Sequence, residues 1–98
     1  MTEVRAFQLV QEALDSLQRV GLLPEAVAAQ ADTVLLGAGS PLDSIGFVTF
    51  ITEMEDRISR EAQQELYLVL KDIHEFNADT PYLTAGTLAR YIAKISST

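Results

Sequence analysis

The sequence predicts an all-α fold, a small four-helix bundle with one long first connection. Three observations lead there. The chain has 98 residues, 48% hydrophobic and 21% charged, enough for one small core. Apolar residues recur at three- and four-residue steps in separate stretches. Breakers and turn formers (Gly21, Pro24, the run Gly37 to Pro41, Pro81) fall between those stretches. Residues 1-98 are expected to form a single domain, without repeat, low-complexity tract or internal boundary.

In the first stretch Val4, Phe7, Val10, Leu14 and Leu17 share a stripe, while Glu3, Gln8, Gln11, Glu12, Asp15 and Gln18 lie largely elsewhere. This is an amphipathic helix ending near Val20, because Gly21 favours a C-terminal stop and Pro24 follows. Residues 21 to about 43 form the long connection, in which Glu25 to Gln30 is expected to make a short turn of helix. From Asp43 or Ser44 the helical period returns, with Phe47, Phe50, Ile51, Met54 and Ile58 facing the core and Ile45, Val48, Thr52 and Glu55 on the solvent side. The mild apolar character of that outer stripe suggests a contact surface. In ELYLVLKDI, Leu66, Leu68 and Leu70 alternate with Tyr67 and Val69, which favours an extended segment, with Lys71 to Phe76 a short helix and a turn at Asn77, Asp79 and Pro81. Thr84 caps the last helix, whose stripe is Leu88, Tyr91, Ile92 and Ile95.

Fourteen Asp+Glu against seven Lys+Arg leave a formal charge of −7. Such a surface repels phosphate backbones and anionic lipid, which argues against nucleic-acid or membrane partners and for partners with basic patches. No cysteine is present, so a disulfide framework, thiolate zinc sites and a protein-borne thiol nucleophile are excluded. The N-terminal stretch MTEVRAFQLVQEAL has no unbroken apolar run of signal or membrane-span type, and the expectation is a cytoplasmic protein with no membrane insertion.

Catalytic constellations come out poorly. A triad would have to be built around His74, the sole histidine. The densest acidic cluster, Glu53, Glu55 and Asp56, lacks calcium-loop spacing and reads as a solvated face. Gly37 and Gly39 lack the lysine of a phosphate loop. What remains is Ser44, after the loop GAGSPLD and at the start of the strongest amphipathic helix. Asp43-Ser44 suits a helix cap, and a helix N-terminus also favours an anion attached there.

The segment Pro41-Leu42-Asp43-Ser44-Ile45-Gly46-Phe47-Val48-Thr49-Phe50 resembles the Asp-Ser-Leu attachment motif of acyl carrier proteins, and Thr84 to Ile92 resembles their last helix. The resemblance extends over nearly the whole chain in element order, length and acidity. It implies an acyl-carrier-like bundle and a non-catalytic carrier. Ser44 would take 4′-phosphopantetheine from coenzyme A on a separate magnesium-dependent phosphopantetheinyl transferase, with Asp43 in a supporting role. An acyl or aminoacyl group would ride as a thioester on that arm, which also gives the absence of cysteine a purpose. By the same resemblance, partner enzymes (a loading ligase, transferase or synthase with a basic docking patch) would dock on Ile45, Val48, Thr52, Glu53, Glu55 and Asp56. Ile45 stands where Leu is usual, and Thr49 where many carriers have an acid. The longer, apolar region from Ser59 to Tyr82 favours a stand-alone carrier of a specialised pathway over a housekeeping fatty-acid carrier. Acyl and peptidyl cargo are not distinguished, and a mobile arm visiting several enzymes argues for a monomer. Two other readings compete: an unmodified acidic interaction protein with Ser44 as a helix cap only, and a small hydrolase built on Ser44 and His74.

Overall fold

The computed structural model describes residues 1–37, 39–78 and 82–96. Its order is α1 (Glu3–Arg19), β1 (Val34–Leu36), α2 (Ser44–Ala62), α3 (Leu70–Phe76), β2 (Leu83–Thr84) and α4 (Ala85–Ser96). The expected all-α bundle of four helices with a long first connection is what forms, with one small sheet added. The part of the expected turn at Asp79 and Pro81 lies outside the described residues.

Thr2 starts α1, its Oγ1 accepting from the Arg5 N–H at 3.1 Å. The helix ends in a Schellman turn. Leu22 N–H donates to Leu17 C=O (2.9 Å) and Gly21 N–H to Gln18 C=O (3.2 Å), with Gly21 at φ +86°. Ala6, Leu9, Val10, Ala13, Leu14 and Leu17 form its buried face. Val4 and Phe7 were expected on that face, but Val4 is exposed and Phe7 half-buried, because Ala6 and Leu9 turn inward in the first two turns.

The turn of helix expected over Glu25–Gln30 does not form. Gln11 of α1 donates from Nε2 to the Val27 carbonyl and accepts at Oε1 from the Ala29 N–H, both at 2.7 Å. These two bonds tie the connection to α1 through backbone groups that are then not free for a helix. Beyond it β1 pairs antiparallel with β2, Val34 opposite Thr84 and Leu36 opposite Leu83. The same strap continues onto α4, where Ala85 N–H donates to Thr33 C=O (2.8 Å) and Gly86 N–H to Ala31 C=O (2.9 Å). Gly86 is needed there, since a Cβ would lie 2.8 Å from the Ala31 carbonyl oxygen.

Between α2 and α3, residues 65–69 are neither helix nor strand. Side chains of α2 satisfy its backbone: Ser59 Oγ accepts from Leu66 N–H (3.0 Å) and donates to Leu66 C=O (3.2 Å), and Glu55 Oε2 accepts from Leu68 N–H (2.8 Å). The alternation holds through Val69, with Leu66 half-buried, Leu68 buried, and Tyr67 and Val69 outward; Leu70, which begins α3, is exposed. Thr84 caps α4, accepting from Thr87 N–H at 3.3 Å. Phe50, Met54, Ile58, Leu14, Leu17, Leu88 and Ile92 are fully buried and hold α1, α2 and α4 on one core.

Arg5 in the first turns of α1 makes a two-pronged pair with Glu61 in the last turn of α2, both contacts at 3.0 Å. Glu12 meets Arg57 at 3.2 Å. The two helices are therefore antiparallel, and Ser44 stands at the end of the bundle opposite Arg5 and Glu61.

Candidate functional site

Ser44 is the first residue of α2 and is exposed. The cap is Asp43, not Ser44: Asp43 Oδ1 accepts from the Gly46 N–H at 2.6 Å, and its carbonyl accepts from Phe47 N–H at 2.8 Å. This corrects the reading of Ser44 as a helix cap. Among the described residues the Ser44 hydroxyl has no hydrogen-bond partner, nor do the Ser44 and Ile45 N–H groups have an acceptor. A nucleophilic oxygen thus stands free in solvent at the positive end of a helix dipole.

The loop before it is built to hold that position. Ser40 Oγ donates to the Leu35 carbonyl (2.7 Å) and accepts from Leu42 N–H (3.1 Å), which joins the loop to β1 and seats Leu42 in the core. Gly46 was not singled out from the sequence, yet a Cβ there would stand 3.0 Å from Asp43 Oδ1. Its signal was a glycine three residues after an Asp at a helix start, where the cap carboxylate approaches the backbone closely.

The structure splits the expected docking residues into two groups. Ile45 (71% exposed), Val48 (64%) and Thr52 stand in solvent beside Ser44. The three carboxylates are engaged within the chain. Glu53 pairs with Arg57 (3.5 Å), Asp56 with Arg60 (2.5 Å), and Glu55 accepts the Leu68 N–H. Thr49 and Thr52 turn their hydroxyls back onto the Ile45 and Val48 carbonyls.

Next to this face an apolar groove of about 210 Å³ runs between Phe47, Val48, Ile51 and Thr52 on α2 and Leu68 and Leu70 opposite. Leu70 also borders a second cavity of about 160 Å³, lined by Leu36, Ile73, Tyr82 and Leu83 together with His74. A larger polar hollow of about 480 Å³ lies around Met1, Arg5, Glu61 and Gln64, at the far end of α2 from Ser44. There Arg5 holds the Glu61 carboxyl below its ordinary range, chiefly through its hydrogen bonds, and Glu61 in turn raises the Arg5 guanidinium.

The Ser44–His74 pair that a hydrolase would need is not formed: His74 borders the second cavity without Ser44, and no hydrogen bond joins them among the described residues. No group of three or more His, Cys, Asp or Glu is placed to hold a metal ion among the described residues, and no helix there is long and apolar enough to cross a membrane. No protein-family model, curated protein or solved structure matches this chain.

Proposed function

We propose that this chain is a carrier protein whose Ser44 bears 4′-phosphopantetheine and presents a covalently held acyl or aminoacyl group to partner enzymes. The observation that carries the reading is the division of labour at the start of α2. Asp43 holds the helix cap, so the hydroxyl of Ser44 is left exposed and unbonded where an attached phosphodiester gains from the helix dipole. The residues fit the group: the oxygen is accessible, the first turn of α2 carries no acid, and an apolar groove opens one turn away.

When bound, the group supplies the thiol that a chain without cysteine lacks, and with it a thioester. The chain's own residues do the rest. Ser44 Oγ would take the group from coenzyme A on a magnesium-dependent phosphopantetheinyl transferase, a new O–P bond replacing the phosphoanhydride bond as adenosine 3′,5′-bisphosphate leaves, and the transferase would supply the base for the hydroxyl proton, since no base among the described residues touches Oγ. Asp43 and Gly46 fix the direction in which Ser44 leaves the helix. Phe47, Ile51 and Leu68 offer an apolar wall to a cargo chain, and Ile45 and Val48 meet the partner enzymes. On this reading the chain is not an enzyme, works in the cytoplasm as a monomer, and serves a loading ligase, transferase or synthase in a specialised biosynthetic pathway.

A thiol-reactive fluorophore tests this with no background from protein sulfur. After incubation with coenzyme A, magnesium and a broad-specificity transferase, the purified chain should take up one label, and Ser44→Ala none. Equal labelling of both proteins would remove Ser44 from the account.

A further inference from the structure

Thr52, Glu55 and Ser59 lie three and four residues apart and share one face of α2. The segment that follows the helix returns along that face. Leu66 meets Ser59, Leu68 meets Glu55, and Leu70 stands across the groove from Val48 and Thr52. Glu55 therefore sits one turn beyond the α2 side of the groove, level with Leu68, which lines the opposite side.

The backbone of this segment depends on two side chains. Among the described residues, 65–68 make no backbone-to-backbone hydrogen bond. Ser59 Oγ holds the N–H and C=O of Leu66 (3.0 and 3.2 Å), and Glu55 Oε2 holds the Leu68 N–H at 2.8 Å. Support at the two ends is slight: α2 stops at Gln63 in the left-handed region (φ +56°), and α3 starts after Val69 without a side-chain cap. Leu68 is buried, whereas Glu65, Tyr67 and Val69 around it are exposed. With so few buried neighbours, the position of Leu68 rests on the Glu55 bond more than on the packing of the segment.

Glu55 also differs from the acids beside it. Glu53 and Asp56 face the arginines one turn on, while Glu55 turns to the returning segment. Its charge is felt there: the hydrogen bond to Glu65 chiefly raises the Tyr67 hydroxyl above its usual range, and Glu55 adds to the shift.

We infer that Glu55, with Ser59 behind it, is a positioning residue for the cargo, its carboxylate oxygen holding Leu68 in place as the outer wall of the groove near Ser44. The inference rests on the carrier reading and assigns Glu55 a task other than the partner docking expected of it. The task needs an acceptor oxygen and no charge, so a glutamine can perform it.

The test loads the full chain from acetyl- or octanoyl-coenzyme A with a broad-specificity phosphopantetheinyl transferase and treats the purified thioesters with hydroxylamine. The hydroxylamine nitrogen attacks the thioester carbonyl, a C–N bond forms as the C–S bond breaks, and the nitrogen's proton passes to the departing sulfur. The acyl group leaves as a hydroxamic acid, and a thiol dye reads the freed arm without interference from protein cysteine. Dividing each rate by that of the same acyl-coenzyme A removes intrinsic reactivity. On the wild-type chain octanoyl should be protected about fivefold or more and acetyl less than about twofold. Glu55→Ala and Ser59→Ala should each reduce octanoyl protection to less than about twofold and leave acetyl unchanged, while Glu55→Gln protects as wild type does. Far-UV circular dichroism of the unloaded chains checks the fold, and if Glu55→Ala does not fold, Ser59→Ala carries the same expectation. Full octanoyl protection in the alanine variants, or none in wild type, overturns the positioning role and leaves the carrier reading intact. Glu55→Gln behaving as Glu55→Ala overturns the acceptor role in favour of charge. Failure of the wild-type chain to load overturns the carrier reading, and the inference with it.

Discussion

Replacing Asp43 and Ser44 one at a time separates the cap from the hydroxyl. Asp43→Ala removes a 2.6 Å bond to the Gly46 N–H and leaves that donor without its partner at the helix start. Loss of an N-cap side chain costs about 1 kcal/mol, up to about 2. Loss of the negative charge beside the helix N-terminus adds about 0.3–1 kcal/mol at low salt. The expected total is about 1.3–3 kcal/mol, and at roughly 4–8 °C per kcal/mol for a domain of this size the melting temperature should fall by about 5–24 °C. Asp43→Asn keeps an acceptor and should lose only the charge part. Ser44→Ala removes an oxygen with no partner and should stay within about 0.5 kcal/mol of wild type. Urea unfolding followed by far-UV circular dichroism reads all three, with unchanged m-values confirming that the unfolded states are comparable. A loss near 1 kcal/mol for Ser44→Ala with Asp43→Ala neutral would refute the assignment of the cap, and with it the argument that the Ser44 hydroxyl is free for other chemistry.

Gly86→Ala would gain helix propensity in isolation, but its Cβ would meet the Ala31 carbonyl oxygen at 2.8 Å, so the same urea assay should show a loss of about 1–3 kcal/mol. Gln63 ends α2 at φ +56°, and Gln63→Gly should raise stability by about 0.5–1 kcal/mol. Glu61 has its carboxyl pKa lowered from 4.5 by the Arg5 hydrogen bonds; its contribution is present above that value and is lost as pH falls below it through the folded pKa. Thermal melts from pH 6 to pH 3 should therefore bring wild type and Glu61→Gln closer together, with the convergence below about pH 4.5.

The helices α1, α2 and α4 were legible because each carries a long apolar period and a chemical stop or start: Gly21 in its Schellman turn, Asp43 at α2, Thr84 at α4; α3, seven residues with only Ile73 buried and no side-chain cap, carries neither. The sheet was not, since strands of three and two residues are too short to show a period. Nor was the non-helical course of residues 25–30, where the helix-favouring Ala26, Ala28 and Ala29 are overridden by an amide sixteen to eighteen residues away on Gln11. At the site, the dipeptide Asp43-Ser44 was readable locally, but which of the two caps the helix depends on backbone geometry. Counting carboxylates on α2 suggested an acidic face. The i,i+4 arginines that pair with Glu53 and Asp56 were also present in the sequence, whereas the Glu55 bond to Leu68 depends on how the 65–69 segment returns across the helix.

Intact-mass spectrometry of the wild-type chain and Ser44→Ala, before and after incubation with coenzyme A, magnesium and a broad-specificity phosphopantetheinyl transferase, tests the central claim most directly. The account predicts a single phosphopantetheine adduct on the wild-type protein, with fragmentation placing it on Ser44, and an unchanged mass for Ser44→Ala. An unchanged wild-type mass with several transferases, or an adduct that survives Ser44→Ala, would contradict it.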